Sequence, residues 1–313
     1  SHLQALVRLG EWLRAADYHF VTVTPETHRR VNERAERAQA LRAQNLRDVF
    51  GWNWPFDAAL LPPEALELLR AASALEETAA GLRARVRFST AQNLLCVHSA
   101  FPTTQSDAVF FGPDTYRYCK LLARWTSAHP RTRAQRVVDI GCGSGAGALS
   151  LADRVDHLVL SDINATALAY ATVNAALAQR PAEIVHSDVL QGVQGPVDLI
   201  IANPPYMSDP DARLYRDGGG AHGTDLSVRI VREGLSRLEQ QRTGGTLILY
   251  TGAPIVAGRD VLYDALQPHL RACVGQVEYE ELDPDVFGEE LSTPGYANVE
   301  RIAVIGLRVC LSS

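Results

Sequence analysis

The sequence predicts an α/β protein: a doubly wound, seven-stranded, mostly parallel sheet preceded by a mainly helical module that ends in a β-hairpin. Three observations carry this. From about residue 108, short apolar runs alternate with segments of helical periodicity, and strands separated by helices form a parallel sheet covered on both faces. A glycine-rich turn, Asp139-Ile140-Gly141-Cys142-Gly143-Ser144-Gly145, follows the first run. Polar residues then stand at the carboxyl ends of successive runs, the edge at which open α/β sheets bind ligands.

Taken in order, residues 3–50 carry apolar positions at helical spacing with few breakers. Within them, Arg29 to Arg47 includes six arginines and two glutamates. This reads as a solvated helix face, with a face for RNA or an acidic partner as the alternative. Phe50-Gly51-Trp52-Asn53-Trp54-Pro55-Phe56 reads as a packed aromatic turn. Pro62-Pro63 opens a helix expected over Glu64 to Arg83. Val86–Thr90 and Leu94–His98 flank Ala91-Gln92-Asn93 as a hairpin, and His98 within it reads as structural. The expected division is therefore a module over 1–107, a candidate for substrate recognition, and a sheet domain over 108–313. The expected strands are Arg136–Ile140, His157–Ser161, Ala182–His186, Val197–Ala202, Gly245–Tyr250, Gln276–Leu282 and Arg301–Val309. No helix separates the last two, so one edge pair is expected to be antiparallel.

Composition narrows the class. With 313 residues, 46% hydrophobic and 21% charged, the chain has the makeup of a globular protein with a full core. A formal net charge of −6 argues against bulk electrostatic binding of nucleic acid, though not against a local basic face. Cys96, Cys119, Cys142, Cys273 and Cys310 are scattered and contain no CxxC. That pattern points to reduced thiols in a cytoplasmic protein rather than a disulfide framework or a zinc site. No apolar run reaches the length of a membrane span.

The glycine turn supplies Gly141, Gly143 and Gly145 before a helix expected near Ala146. Glycines let the backbone turn sharply and approach a ligand closely. Gly141, Gly143 and Ala146 also match a dinucleotide pattern. Asp162 ends the next strand, at the distance where an acidic residue accepts from ribose hydroxyls. Both S-adenosylmethionine (SAM) and NAD carry such a ribose. Asp188, after the third strand, could accept from an adenine amino group. Asp139, Asp162, Asp188 and Asn203 thus form a series along one sheet edge.

The last member opens Asn203-Pro204-Pro205-Tyr206. The glycine turn, the acidic residue of the second strand and this tetrapeptide together resemble class I SAM-dependent methyltransferases, Rossmann-like enzymes that modify planar nitrogens. Over about residues 108–313 the chain is most similar to the glutamine N5-methyltransferases of peptide chain release factors. Phe111-Gly112-Pro113-Asp114-Thr115 sits where that family has Pro-Glu-Thr. Gly219-Gly220-Ala221-His222-Gly223-Thr224-Asp225, with Arg229, resembles its glycine-rich segment. The chain departs from the family at His222, in lacking Glu-Pro before the glycine pair, and over Asp283 to Tyr296.

The resemblance implies SAM as cofactor, with Asp139, Gly141, Gly143, Gly145, Asp162, Asp188 and Thr115 on its side. Thr115 also fits a plain helix N-terminal role. It implies Asn203, Pro204 and Tyr206 as the catalytic set. An amide or aromatic amine has a delocalised lone pair and is a poor nucleophile. The Asn203 and Pro204 carbonyls could accept its two N–H groups and aim the nitrogen, while Tyr206 stacks on the plane. The expectation is one direct displacement without a metal or covalent intermediate. The expected partner is a translation protein, either a release factor or a ribosomal protein. An RNA or DNA base is the second reading. An NAD-dependent oxidoreductase and a non-catalytic SAM-binding protein are the others, and neither gives the tetrapeptide a role.

Overall fold

The computed structural model describes residues 1–127 and 135–312. The N-terminal part contains helices α1 (His2–Ala15), α2 (Pro25–Arg37), α3 (Leu46–Phe50) and α4 (Pro63–Ala71) and strands β1 (Leu75–Thr78), β2 (Gly81–Ala84), β3 (Val86–Ala91) and β4 (Leu94–Ser99). The expected helical stretch over 3–50 is broken twice. Asp17 and Gln39 take left-handed φ values of 54° and 53° just past the ends of α1 and α2. After the first break the chain runs extended because a distant strand takes its hydrogen bonds: Thr90 N–H donates to Phe20 O at 2.8 Å and Tyr18 OH to Phe88 O at 2.7 Å. The helix expected over Glu64–Arg83 stops at Ala71, and β1 pairs antiparallel with β2 instead. Leu82 exchanges both backbone hydrogen bonds with Phe56, at 2.8 and 2.9 Å. Helical periodicity contains no record of such a partner. The hairpin β3–β4 and the packed aromatic turn form as expected, with Phe50 and Phe56 fully buried.

The arginine-rich stretch lies in and after α2, mostly at the surface and internally paired. Arg29 bonds Glu26 and Glu33, and Arg30 bonds Glu26. Exposed pairs at this spacing contribute a few tenths of a kcal/mol each, about 0.3–0.5.

The C-terminal part comprises α5 (Pro113–Ser127), β5 (Arg136–Ile140), α6 (Ala146–Ser150), β6 (His157–Asp162), α7 (Ala165–Leu177), β7 (Glu183–His186), β8 (Leu199–Ala202), α8 (Asp225–Gln240), β9 (Gly245–Val256), β10 (Arg259–Asp260), α9 (Val261–Ala272), β11 (Gly275–Asp283) and β12 (Arg301–Leu311). The main sheet runs β7-β6-β5-β8-β9-β12-β11, with the short β10 folded back on β9. The five strands from β7 to β9 are parallel. β12 inserts between β9 and β11 and is antiparallel to both. The antiparallel edge pair was expected, but the insertion was not. It lets a hairpin-like return close the sheet without a second crossover helix.

Alternate residues of the central strands feed opposite layers. Val137, Leu199, Ile201 and Ile248 pack on one face, and Val138, Ile200, Leu247 and Leu249 on the other. Helix α7 serves two cores. Ala171 and Ala175 join the sheet layer, while Val173 and Leu177 close the N-terminal core beside Leu9, Leu13 and Val97. Between them Asn174 is buried. Its carbonyl accepts Val97 N–H at 2.7 Å, and its amide donates to Val97 O at 3.0 Å and to Ser144 O at 2.8 Å. One side chain thus completes the outer edge of β4 and touches the glycine turn.

Candidate active site

The chain leaves β5 in one direction toward β6 and β7 and returns on the other side as β8. Ligands of open α/β sheets bind at such a reversal. Register brings the strand ends level: Ile140 pairs with Ser161 on one side and with Ala202 on the other. Gly141, Asp162 and Asn203 therefore emerge together. They open onto a cavity of about 390 Å³, within the size range of small-molecule pockets.

Of the residues expected at the site, Asp139, Gly141, Gly143, Asp162, Asp188 and Thr115 line this cavity, as do Asn203, Pro204 and Tyr206. Gly145 does not. It starts α6 at φ 81°, and its Cα faces Leu160, Leu149 and Ala171, so it seats the helix on the sheet. Gly141 and Gly143 have φ of 63° and 54°, and a Cβ built on either would meet nothing within 4 Å. Their bare backbone faces open space, as a close-lying ligand requires.

The acidic residues are more occupied than the sequence suggests. Asp162 accepts Gly143 N–H at 2.9 Å and Asn164 N–H at 2.8 Å, and burial raises its pKa. It thereby fixes the glycine turn, and each oxygen retains acceptor capacity for a ribose hydroxyl. Asp139 lies beneath the turn, 1% exposed, accepting Ala148 N–H at 3.1 Å. Burial pushes its pKa up to about 7. Asp188 is held bidentately by Arg229 at 2.8 and 3.0 Å, so a contact to adenine has to share that carboxylate. The Thr115 hydroxyl accepts Gly112 N–H at 3.2 Å and caps α5 from within its first turn, while also lining the cavity.

The other end of the cavity is the tetrapeptide. Among the described residues, neither the Asn203 side chain nor the Pro204 carbonyl is engaged by a hydrogen bond. Tyr206 differs from expectation. It is 6% exposed, and its hydroxyl donates to Asp114 at 2.5 Å. A Cβ at Gly252 of β9 would lie 2.1 Å from the ring, so that strand gives up a side chain to admit it. A ring so enclosed has little face left for stacking on an acceptor. Phe287, half-buried at the cavity wall, lies 6.2 Å from the Tyr206 ring and offers the freer aromatic surface.

Three residues of the cavity lining were not singled out from sequence. Asp114 stood inside the Phe111–Thr115 stretch and Phe287 inside the divergent segment after Asp283, but neither position announced a role. Ile163 follows Asp162 and lines the cavity while 51% exposed. Around the mouth, Leu214 N–H donates to Ser106 O at 3.1 Å and Tyr215 OH to Thr103 O at 2.6 Å. Pro25, Pro102 and Thr104 of the N-terminal part line it too.

The family model of the methyltransferase small domain matches residues 116–252. This part of the chain is a class I SAM-dependent methyltransferase domain. The bare glycine turn, and Asp162 with acceptor capacity left for a ribose hydroxyl, fit the adenosine part of SAM. The nicotinamide reading falls away. Among curated proteins, the methyltransferase domain resembles the release factor glutamine methyltransferase of Deinococcus radiodurans, 31% identical over 169 residues, covering 51% of this chain and 57% of that one. It also resembles the tRNA1(Val) (adenine(37)-N6)-methyltransferase of Aeromonas hydrophila, 36% identical over 118 residues, covering 34% and 48%. A third relative is the ribosomal RNA small subunit methyltransferase C of Erwinia tasmaniensis, 30% identical over 120 residues, covering 38% and 31%. The matches span between 31% and 57% of these relatives' own lengths. Among the described residues, no helix is long and apolar enough to cross a membrane.

Proposed function

We propose that the chain is an N-methyltransferase whose acceptor is the side-chain amide of a glutamine in a translation protein, a peptide chain release factor or a ribosomal protein. The observation that carries this is the pair of unengaged acceptors, the Asn203 side chain and the Pro204 carbonyl, at the cavity edge beside the glycine turn. A primary amide offers two N–H donors, and two acceptors held on a proline-stiffened loop match them. Holding both N–H groups aims the nitrogen at the cofactor side and favours its rehybridisation as positive charge develops next to the two carbonyls. SAM supplies the electrophilic methyl group. No general base is required, because the nitrogen proton becomes acidic once the nitrogen is alkylated.

In this reading Gly141, Gly143 and Asp162 hold the cofactor, and Asp139 and Gly145 hold the turn. Residues 1–107 present the acceptor, which the position of Pro25, Pro102 and Thr104 at the mouth supports. The free, scattered thiols support a cytoplasmic setting for this reading. A base amino group of RNA is the second reading. It offers the same two N–H donors, and the tRNA and rRNA relatives favour it.

The test uses methyl-labelled SAM, the purified chain and an extract from cells lacking the endogenous activity. Protease-sensitive label on one band, mapping to a glutamine, supports the proposal. Ribonuclease-sensitive label replaces it with the second reading.

A further inference from the structure

The acceptor loop is tied down by a carboxylate far away in sequence. Asp114 sits in the first turn of α5, 7% exposed. One of its oxygens accepts the Tyr206 hydroxyl at 2.5 Å, and the other accepts the Tyr250 hydroxyl of β9 at 2.6 Å. Arg117 pairs with it at 3.3 Å and reaches Asp283 at 3.2 Å. These oxygen–oxygen separations are those of charge-assisted bonds, the stronger class. Burial and the Asp114 charge raise the pKa of both phenols, so both stay protonated and donate.

Packing alone does not explain this arrangement. Phenylalanine at 206 and 250 with an apolar residue at 114 would fill a similar volume without burying a charge, whose desolvation opposes folding. What the polar set adds is direction. Each phenol is fixed along its length, and the Tyr206 ring is also closed in by Gly252. On the far side, Ser208 N–H donates to Tyr296 OH at 2.8 Å. The loop is thus anchored immediately after Pro205, and the only freedom left to Asn203 and Pro204 lies between that anchor and the end of β8.

We propose that Asp114 is a positioning residue for the methyl-acceptor loop: through the hydroxyls of Tyr206 and Tyr250 it sets where the Asn203 and Pro204 acceptors point. This rests on the reading of Asn203–Tyr206 as the acceptor site.

The full chain is tested with Tyr206→Phe, which removes one hydroxyl and leaves the packing, and with Asp114→Asn. Amide hydrogen exchange is followed in residues 206–218 and in the glycine turn, 141–147. Labelled methyl incorporation is measured per SAM-binding site. Faster exchange confined to 206–218 is expected, with SAM affinity within about threefold of the parent and incorporation down about 100-fold, the scale of a 1 Å misplacement. The double variant should lose no more than the worse single one, because the bond that Tyr206→Phe removes is one of the two that Asp114→Asn weakens. Unchanged exchange, acceleration spread over both segments, or a parallel loss of SAM binding overturns the proposal. If the unmodified chain labels nothing, the acceptor reading fails. Exchange alone then decides the tie: local acceleration upholds it, and any other pattern removes it.

Discussion

The two ends of the cavity are built on different principles. On the cofactor side, backbone does the shaping. Gly141 and Gly143 leave peptide exposed, and Asp162 and Asp139 hold that peptide through Gly143 N–H and Ala148 N–H. Nearly every part lies within a few residues of a strand end. On the acceptor side, side chains from distant elements converge. Asp114 lies 92 residues from Tyr206, and Tyr296 lies 88 from Ser208. Phe287 and Gly252 come from two further segments. A site made of local backbone tolerates change elsewhere in the chain, whereas a site made of converging side chains inherits the position of every element that contributes one.

The largest expected effect tests the acceptor side itself. Asn203→Ala removes an acceptor used while charge develops, and should lower methyl incorporation by about 10²–10³-fold with SAM binding unchanged, as equilibrium binding and single-turnover assays would show. A comparable loss of SAM affinity would erase the distinction between the two ends. Gly252→Ala should come next. Its Cβ cannot coexist with the Tyr206 ring at 2.1 Å, so the loop must shift. Incorporation should fall about 100-fold while SAM affinity and the far-UV spectrum stay those of the parent.

On the cofactor side the signs reverse. Asp162→Ala should weaken SAM binding by roughly 10–100-fold, through the loss of about 1.5–3 kcal/mol from a charged hydrogen bond. Turnover at saturating SAM should change little. The remaining effect is on stability, not on binding or turnover, and it is a slope. Asp139 has its pKa raised by burial from 3.8 to about 7, so the folded chain binds that proton more tightly than the unfolded chain does. Stability therefore falls as pH rises between those values, by up to about 1.4 kcal/mol per unit, and levels off above. Asp139→Asn can still accept Ala148 N–H and should flatten this part of the denaturation profile. An unchanged slope would mean that Asp139 is not the residue responsible.

This contrast also explains what could be read in the sequence. Each central strand is a continuous apolar run, and the polar residues that end them, Asp139, Asp162 and Asn203, were visible because they adjoin those runs. The hairpin β3–β4 was visible for the same local reason. What escaped depends on partners remote in the chain. The helix expected through Arg83 gives way to β1–β2 because Phe56 pairs with Leu82. The extended stretch after α1 exists because β3 takes its hydrogen bonds. β12 enters between β9 and β11, which no count of helices between strands reveals. Arg229 on Asp188, and Asp114 on two tyrosines, are pairings that spacing does not encode.

The amide of Asn174 has a consequence for how the chain comes apart. Cutting after residue 107 would strip Val97 from it and uncover Val173 and Leu177, leaving α7 with a polar tie lost and an apolar face in water. That loss would reach Ser144, and with it the turn that carries the cofactor site. The helical module and the sheet are therefore coupled parts of one cooperative unit. Heat or denaturant should melt them in a single transition, followed alike by tryptophan fluorescence of a Trp125→Phe chain, which then reports the first part through Trp12, Trp52 and Trp54, and by loss of SAM binding in the second.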